Sequence, residues 1–192
     1  MQRAPPGTPA QVRGTTRQSR ASVATYSDIV QTIDHIGILV PRLEEAIARW
    51  SAALGCDFSP IGRYRSEHYV DTADGVPHAH DARFSVSRTT APYIELLEVT
   101  GTGSHGPDRV GFHHLAVRAQ SAQDAAEQAG LPLDAHSVGT GDRMHICFTD
   151  PDALDGISIE FISDFPGPIF RDDGSPVWRD PLTGRASLWG PA

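Results

Sequence analysis

The two halves of the chain repeat one order of elements, and this repeat constrains the fold more than any other feature. Residues 32–40 alternate branched with small or polar side chains, which predicts a strand, and residues 43–54 place apolar side chains on one helical face. Residues 112–117 can be laid on residues 33–38, and residues 121–129 again follow as a helix. Each half is therefore predicted to be a strand, a helix and further strands.

Each half is also predicted to end in a strand that has a glutamate inside it. These strands are residues 93–99 in the first half and residues 157–162 in the second. Between helix and last strand, the first half is predicted to have two strands in residues 63–77 and another at 82–87. The second half is predicted to have a strand at 142–148.

Composition divides the chain into three regions. Residues 1–27 are rich in Pro, Gly, Ser, Thr, Gln and Arg and show no hydrophobic period, so we predict a disordered leader. Residues 28–164 form one domain of two modules, 28–100 and 112–164. Residues 165–192 are a Pro- and Trp-rich C-terminal extension. Disordered tails rarely have so many aromatic side chains, so we expect this extension to lie across the domain or a partner subunit, or alternatively to form a lid over the site.

The charge and hydropathy of the chain exclude several functions. A net charge of −8 argues against a nucleic-acid partner, because phosphate binding needs a basic face. No stretch approaches the roughly 20 apolar residues of a membrane span, and no apolar run follows the basic N-terminus. We therefore expect a cytoplasmic protein without a membrane partner. The chain contains no lysine, which excludes Schiff-base chemistry on a lysine.

Four charged or titratable residues lie inside hydrophobic strand patterns, in the same order in both halves: His35, Glu95, His114 and Glu160. A carboxylate in such a strand is costly to bury unless it is paired or bound to a metal. A single strand histidine is more often a hydrogen-bonded core residue, and a single glutamate can belong to the polar face of a half-exposed strand. The repetition favours one shared metal site over those alternatives.

The ligand types indicate which ion and which chemistry would suit this site. Imidazole nitrogen and carboxylate oxygen suit Fe, Mn, Co, Ni or Zn, and Mg less well. Four protein ligands on an octahedral ion leave two adjacent positions, where a substrate could chelate through two oxygens. The ion would then stabilise an enediolate or enolate as a Lewis acid, and a glutamate could move the proton.

The remaining histidines and arginines allow two interpretations each. His78 and His80 could face the site together or form a solvent-facing pair in a loop, and His145 could line the pocket of the second half. Strict alternation predicts that His113 points away from His114, and three others are predicted at the surface: His68, His105 and His136. Four arginines could bind an anionic substrate or be ordinary surface charges: Arg63, Arg65, Arg83 and Arg88.

The motifs Ile33-Asp34-His35-Ile36-Gly37-Ile38, Ile94-Glu95-Leu96-Leu97-Glu98, Phe112-His113-His114-Leu115-Ala116-Val117 and Ile159-Glu160-Phe161-Ile162 resemble those of the vicinal oxygen chelate (VOC) superfamily. That superfamily includes glyoxalase I, methylmalonyl-CoA epimerase, extradiol dioxygenases and bleomycin- and fosfomycin-resistance proteins. The resemblance covers roughly residues 30–163. It implies an α+β fold in which two paired βαβββ modules form a cupped mixed sheet around a metal site. It also implies that His35, Glu95, His114 and Glu160 bind the metal, and that the protein is a homodimer.

Within the superfamily, the motifs look most similar to methylmalonyl-CoA epimerase and its glyoxalase-like relatives. That resemblance implies a proton-transfer role for Glu160. The epimerases have a further catalytic carboxylate before their third strand, and Asp74 is the nearest candidate, although residues 65–81 do not match the epimerase segment.

Three functions follow from the resemblance and the ligand set. The first is a metal-dependent isomerase, epimerase or lyase that acts on a small molecule by proton abstraction next to a carbonyl. The second is an extradiol-type dioxygenase, which typically uses two histidines and one carboxylate on iron, so that Glu95 argues against it. The third is a resistance protein that sequesters a small molecule, and the presence of all four candidate ligands argues against that.

Overall fold

The computed structural model describes residues 32–72, 74–138, 143–163 and 168–191. The predicted leader, residues 1–27, lies outside the described residues. Among the described residues, no helix has both the length and the apolar character that a membrane span needs.

The two modules have the same order of elements. The first contains Ile33–Val40 (β1), Leu43–Leu54 (α1), Gly62–Asp71 (β2), His78–Val86 (β3) and Tyr93–Glu98 (β4). The second contains Gly111–Ala119 (β5), Ala122–Ala129 (α2), Leu133–Val138 (β6), Met144–Thr149 (β7) and Ser158–Ser163 (β8). Three short strands follow: Ile169–Arg171 (β9), Trp178–Arg179 (β10) and Ala186–Ser187 (β11).

The strands of both modules form one curved mixed sheet in the order β3-β4-β1-β5-β8-β7-β6-β2-β9. β1 pairs with β4, and β5 with β8, in parallel, while β1 and β5 join the modules as antiparallel neighbours. The start of β2 also pairs with β3, and its end pairs with β6, so the first eight strands close into a ring. The predicted α+β arrangement of two βαβββ modules is confirmed.

Both helices pack on the outer face of the ring. Leu43 and Ala46 of α1 are fully buried against Val40 and Leu96, and Ala122 and other small residues of α2 pack on β7 and β8. α1 ends at Gly55, whose φ of 66° suits glycine. α2 begins after Ser121, whose hydroxyl accepts a hydrogen bond from the Asp124 N–H. Because the helices cover the outside, the inward side chains of the strands are free to form the interior of the ring.

The strand prediction between helix and last strand was only partly right. Where two strands are predicted at 63–77, the described residues form one strand, which ends at Asp71, and the strand predicted at 82–87 begins earlier, at His78. Leu133–Val138 is a strand that was not predicted, because its mixture of polar and small residues has no clear apolar alternation.

The described part of the C-terminal extension, residues 168–191, is called the C-terminal strap below. It begins with β9, which pairs with the start of β2, and continues into the β10–β11 pair. Val177 and Leu188 are buried in a cluster with Leu39, Phe84 and Leu97, which are inward-facing residues of the ring. The strap therefore packs over one end of the ring interior.

We expect Leu188→Ala to lower the free energy of unfolding by about 2–5 kcal/mol, because it removes a buried side chain from this cluster. Urea unfolding followed by circular dichroism measures the change. Leu182→Ala is the matched control, since Leu182 lies in the same strap but is 94% exposed, and it should change the free energy by less than about 0.5 kcal/mol. Equal effects of the two substitutions would show that the strap does not pack as described.

Candidate metal centre

The four predicted ligands lie on the four central strands, in two neighbouring rows across the sheet. One row runs from Glu95 on β4 through Gly37 on β1 to His114 on β5. The next row runs from His35 on β1 through Ala116 on β5 to Glu160 on β8. In each row a small residue separates a glutamate from a histidine, so the two longer side chains have room to turn toward each other.

The ligand atoms of these four side chains meet at one point. The Nε2 atom of His35 lies 3.2 Å from Oε2 of Glu95 and 3.1 Å from Oε2 of Glu160. His114 Nε2 lies 3.5 and 3.4 Å from the same two oxygens. The two Nε2 atoms are 3.2 Å apart. Neighbouring ligands of one ion, each about 2.0–2.2 Å from it, are separated by about 3–3.6 Å, so these distances fit a shared ion.

The hydrogen-bond partner of His35 determines which ring nitrogen faces the cluster. Asp34 Oδ1 lies 3.1 Å from His35 Nδ1, and Arg118 forms an ion pair with the same Asp34 carboxylate. A carboxylate only accepts hydrogen bonds, so Nδ1 is the protonated nitrogen and the lone pair of a neutral His35 is on Nε2.

A different residue has the same effect on His114. His113 Nε2 lies 2.7 Å from the backbone carbonyl oxygen of Ser104, which only accepts, so the proton of His113 is on Nε2. Burial, followed by the neighbouring His114, lowers the pKa of His113 to about 4, which keeps it neutral at pH 7. Its Nδ1 atom then accepts from His114 Nδ1, 2.9 Å away, and the lone pair of His114 is also on Nε2.

Two imidazole lone pairs and two carboxylates therefore converge, and such a group needs a positive charge among its members. Although burial opposes a charge on His35, the surrounding carboxylates of Glu95, Asp34 and Glu160 raise its pKa well above the ordinary value. Glu160 Oε2 is buried and accepts no hydrogen bond of good geometry among the described residues. All four ligand atoms lie within 4.8 Å of one another, so the cluster could hold a metal ion in place of the proton.

The cluster lies in the wall of a cavity of about 380 Å³. The lining is mainly apolar and includes Phe84, Leu97, Ile146, Phe148 and Ile162. His35, Glu95 and Glu160 line the cavity, whereas His114 is 0% exposed and lies behind them. Small-molecule sites commonly combine a mainly apolar lining with a few converging polar groups, as here.

The structure separates the other predicted site residues into two groups. His80 and His145 line the cavity, and their role in substrate binding stays a prediction. His78 does not line it and is part-exposed, with Nδ1 near the backbone oxygen of Val76. Asp74 also lies outside the cavity: its side chain is 58% exposed in the turn between β2 and β3, where it accepts a hydrogen bond from the Val76 N–H. The structure thus places Asp74 away from the four candidate ligands, and its catalytic role stays a prediction.

Two histidines that were predicted away from the site lie beside it. His113 is buried next to His114 because β5 has one extra residue relative to β1 at this position, and such a bulge turns consecutive side chains to one side. His105 is 3% exposed and lines the cavity from the short turn Gly103–His105. Burial, followed by the neighbouring histidines, lowers the pKa of His105 well below its ordinary value. The sequence gives no period in this Gly-rich segment from which its burial could be predicted.

The four arginines that were candidates for an anionic substrate lie outside the cavity lining. Arg63, Arg65 and Arg83 form ion pairs with acidic residues, including Asp81 and Asp172. The Arg88 guanidinium lies 4.9 Å from the centre of the Trp189 ring. Their interactions match the alternative interpretation, that of charges on the strand surfaces.

We expect Asp34→Ala to weaken zinc binding by about 10–100-fold, because it removes the partner that orients the His35 ring. Isothermal titration calorimetry of the chelator-treated protein measures the affinity. Glu67→Ala is a control, because Glu67 is exposed on β2. An unchanged affinity in Asp34→Ala would contradict the orienting role of Asp34.

Similar proteins are found among solved structures and among protein families. No curated protein matches the chain. Among solved structures, a hypothetical protein from Bacillus halodurans is 19% identical, covers 70% of this chain and 94% of its own, and has a TM-score of 0.45. The methylmalonyl-CoA epimerase from Mycobacterium tuberculosis is 22% identical over 70% of this chain and 89% of its own, with a TM-score of 0.46.

A third structure is a variant of Streptomyces coelicolor methylmalonyl-CoA epimerase in complex with 2-nitronate-propionyl-CoA. It is 23% identical over 69% of this chain and 94% of its own, with a TM-score of 0.45. Residues 34–148, which run from β1 into β7, match the family model described as the Glyoxalase/Bleomycin resistance protein/Dioxygenase superfamily. The chain belongs to this superfamily, the vicinal oxygen chelate superfamily.

Proposed function

We propose that the protein is a divalent-metal-dependent isomerase, epimerase or lyase that removes a proton next to a carbonyl group. The observation that supports this proposal is the convergence of two oriented imidazole lone pairs and two carboxylates on one point in the wall of an apolar cavity. Iron, manganese, cobalt, nickel and zinc are the ions that suit these ligands.

His35, Glu95, His114 and Glu160 would hold a divalent ion, which would supply Lewis-acid polarisation of a carbonyl oxygen and so make the neighbouring C–H bond more acidic. Glu160 is the residue that we assign as the base. Its carboxylate lines the cavity, and a carboxylate that leaves the ion or lies beside it can accept the proton. Apolar neighbours such as Phe148 and Ile162 exclude water from the proton transfer.

Metal stoichiometry tests the first half of the proposal. Protein treated with a chelator is titrated with Zn²⁺, Mn²⁺, Co²⁺ and Ni²⁺ and, without oxygen, with Fe²⁺. We expect one ion per chain, and a chain that binds none of them would overturn the proposal. His114→Ala should abolish metal binding, because it removes one of the four ligands. His114 is fully buried and does not line the cavity, so the substitution leaves the cavity lining unchanged.

Proton exchange in D₂O tests the second half. Nuclear magnetic resonance follows deuterium incorporation next to the carbonyl of methylmalonyl-CoA and of the methylglyoxal–glutathione hemithioacetal. We expect incorporation into at least one of them with the metal-loaded protein, and none after metal removal. Oxygen consumption by the iron-loaded protein with catechols, without proton exchange, would instead identify an extradiol-type dioxygenase.

A protein that sequesters a small molecule is the second candidate, and the mainly apolar lining of the cavity supports it. Tight binding of an aromatic compound by metal-free protein, without any metal binding, would favour this function. The cytoplasmic location and the homodimer remain predictions, which fractionation of cells and light scattering of the purified chain would test.

A further inference from the structure

The C-terminal strap supplies part of the cavity wall. Ile169 and residues 184–189 line the same cavity as His35, Glu95 and Glu160. The repeated modules alone would therefore leave this side of the cavity without its wall. Neither module contains a counterpart of the strap, so this part of the cavity wall comes from residues outside the repeat.

The strap is fixed to the ring by several different contacts. Asp172 accepts hydrogen bonds from Arg63 and Arg83, whose side chains project from β2 and β3. Leu188 fills the space above Gly62, where an added Cβ atom would lie only 2.7 Å from a Leu188 methyl carbon. Because Leu188 is also buried, the wall is a packed part of the structure.

The His/Glu cluster and the strap contribute different side chains to the cavity. The carboxylates and the His35 imidazole come from the central strands. The strap adds the apolar residues Ile169, Ala186, Leu188 and Trp189, and Arg185 and Ser187 beside them are polar. Ala186 also packs against the cluster that contains Leu188. A ligand with oxygen atoms at the His/Glu cluster therefore has apolar side chains of the strap available for the rest of its body.

We propose that the C-terminal strap determines substrate specificity, and that the substrate is a compact molecule with an oxygen-bearing end and an apolar, aromatic or branched body. The oxygen-bearing end reaches the His/Glu cluster, and the apolar body packs against Ala186, Leu188 and Trp189. Binding of the oxygen-bearing end at the His/Glu cluster rests on the proposed function, whereas packing of the apolar body against the strap does not. A cavity of about 380 Å³ is large enough to enclose such a molecule.

Calorimetry with three named probes tests the strap. 1-Naphthol reports on the apolar part of the cavity in metal-free and zinc-loaded protein. Benzohydroxamate and acetohydroxamate both chelate zinc, and only the first has an aromatic ring. In the zinc-loaded protein we expect benzohydroxamate to bind on the order of tenfold more tightly than acetohydroxamate, because its ring is buried.

Ala186→Trp fills the cavity from the strap side. We expect it to weaken binding of 1-naphthol and benzohydroxamate by on the order of tenfold, with little change for acetohydroxamate or for zinc itself. Leu182→Trp adds the same side chain to the exposed turn of the strap, at a residue that is 94% exposed and outside the lining, and should change none of these affinities. Trp189→Ala is the second variant if Ala186→Trp does not fold, and it should weaken 1-naphthol binding because it removes part of the wall.

The outcomes separate the two proposals. If zinc does not bind but Ala186→Trp or Trp189→Ala still weakens 1-naphthol binding, the metal-dependent function fails and the role of the strap stands. If zinc binds but the strap variants bind 1-naphthol and benzohydroxamate as the wild type does, the role of the strap is overturned. It is also overturned if 1-naphthol does not bind and the two hydroxamates bind equally.

Discussion

Gly37→Ala is expected to reduce zinc affinity by more than the roughly 10–100-fold that loss of an outer hydrogen-bond partner costs. A Cβ atom on Gly37 would lie 2.1–2.5 Å from three ring atoms of His114. The ring cannot easily move away, because it is fully buried and hydrogen-bonded to His113. We also expect the free energy of unfolding to fall by about 1–3 kcal/mol, as for other overpacked core positions. Calorimetry and urea unfolding measure the two effects.

Ala116→Gly is the matched control for Gly37→Ala. Ala116 occupies the equivalent place in the other row, between His35 and Glu160, and its replacement removes a methyl group without creating a clash. We expect it to retain zinc binding. Wild-type zinc affinity in Gly37→Ala would show that the His114 ring does not lie over Gly37.

Glu160→Gln is expected to lower the rate of proton exchange by about 10²–10⁴-fold at saturating metal, because an amide cannot accept the proton. The rate is measured by deuterium incorporation, with metal content determined in the same sample. Glu95→Gln is the matched control, because Glu95 is the equivalent ligand of the other module. It removes the same charge and should retain much more of the exchange. Equal losses in the two variants would contradict the assignment of Glu160 as the base.

The sequence was sufficient to predict the repeat, α1 at Leu43–Leu54 and the meeting of the four strand residues. His35 and Glu95 stand out because they lie inside hydrophobic strand patterns, and the duplication indicates that His114 and Glu160 are their equivalents. The space beside Gly37 accommodates the His114 ring.

The residues that orient the two histidines could not be predicted from periodicity. Asp34 and His113 are each an extra residue in the pairing of β1 with β5, so neither follows the alternation that the prediction assumed. Their side chains consequently lie beside Nδ1 of His35 and Nδ1 of His114. They occupy equivalent positions in the repeat, but one is a carboxylate and the other a neutral imidazole.

The positions of residues in irregular segments could not be predicted from the sequence either. The burial of His105 depends on a short turn that packs against Tyr69 and Phe148, which lie far from it in the chain. Asp74 was chosen by its order along the chain, and the length of β2 carries it away from the cavity into an exposed turn. In both cases tertiary packing, and not local pattern, determined the position.

The closed ring also limits how a second copy of the chain can associate with this one. Each of the eight ring strands has a hydrogen-bonded neighbour on both sides, since β2 joins β3 to β6. The backbone groups that would otherwise act as a template for strand addition are therefore largely used within the chain, which protects against edge-to-edge aggregation. A homodimer would consequently dock through side-chain surfaces, such as the helices outside the ring, and not by extending the sheet.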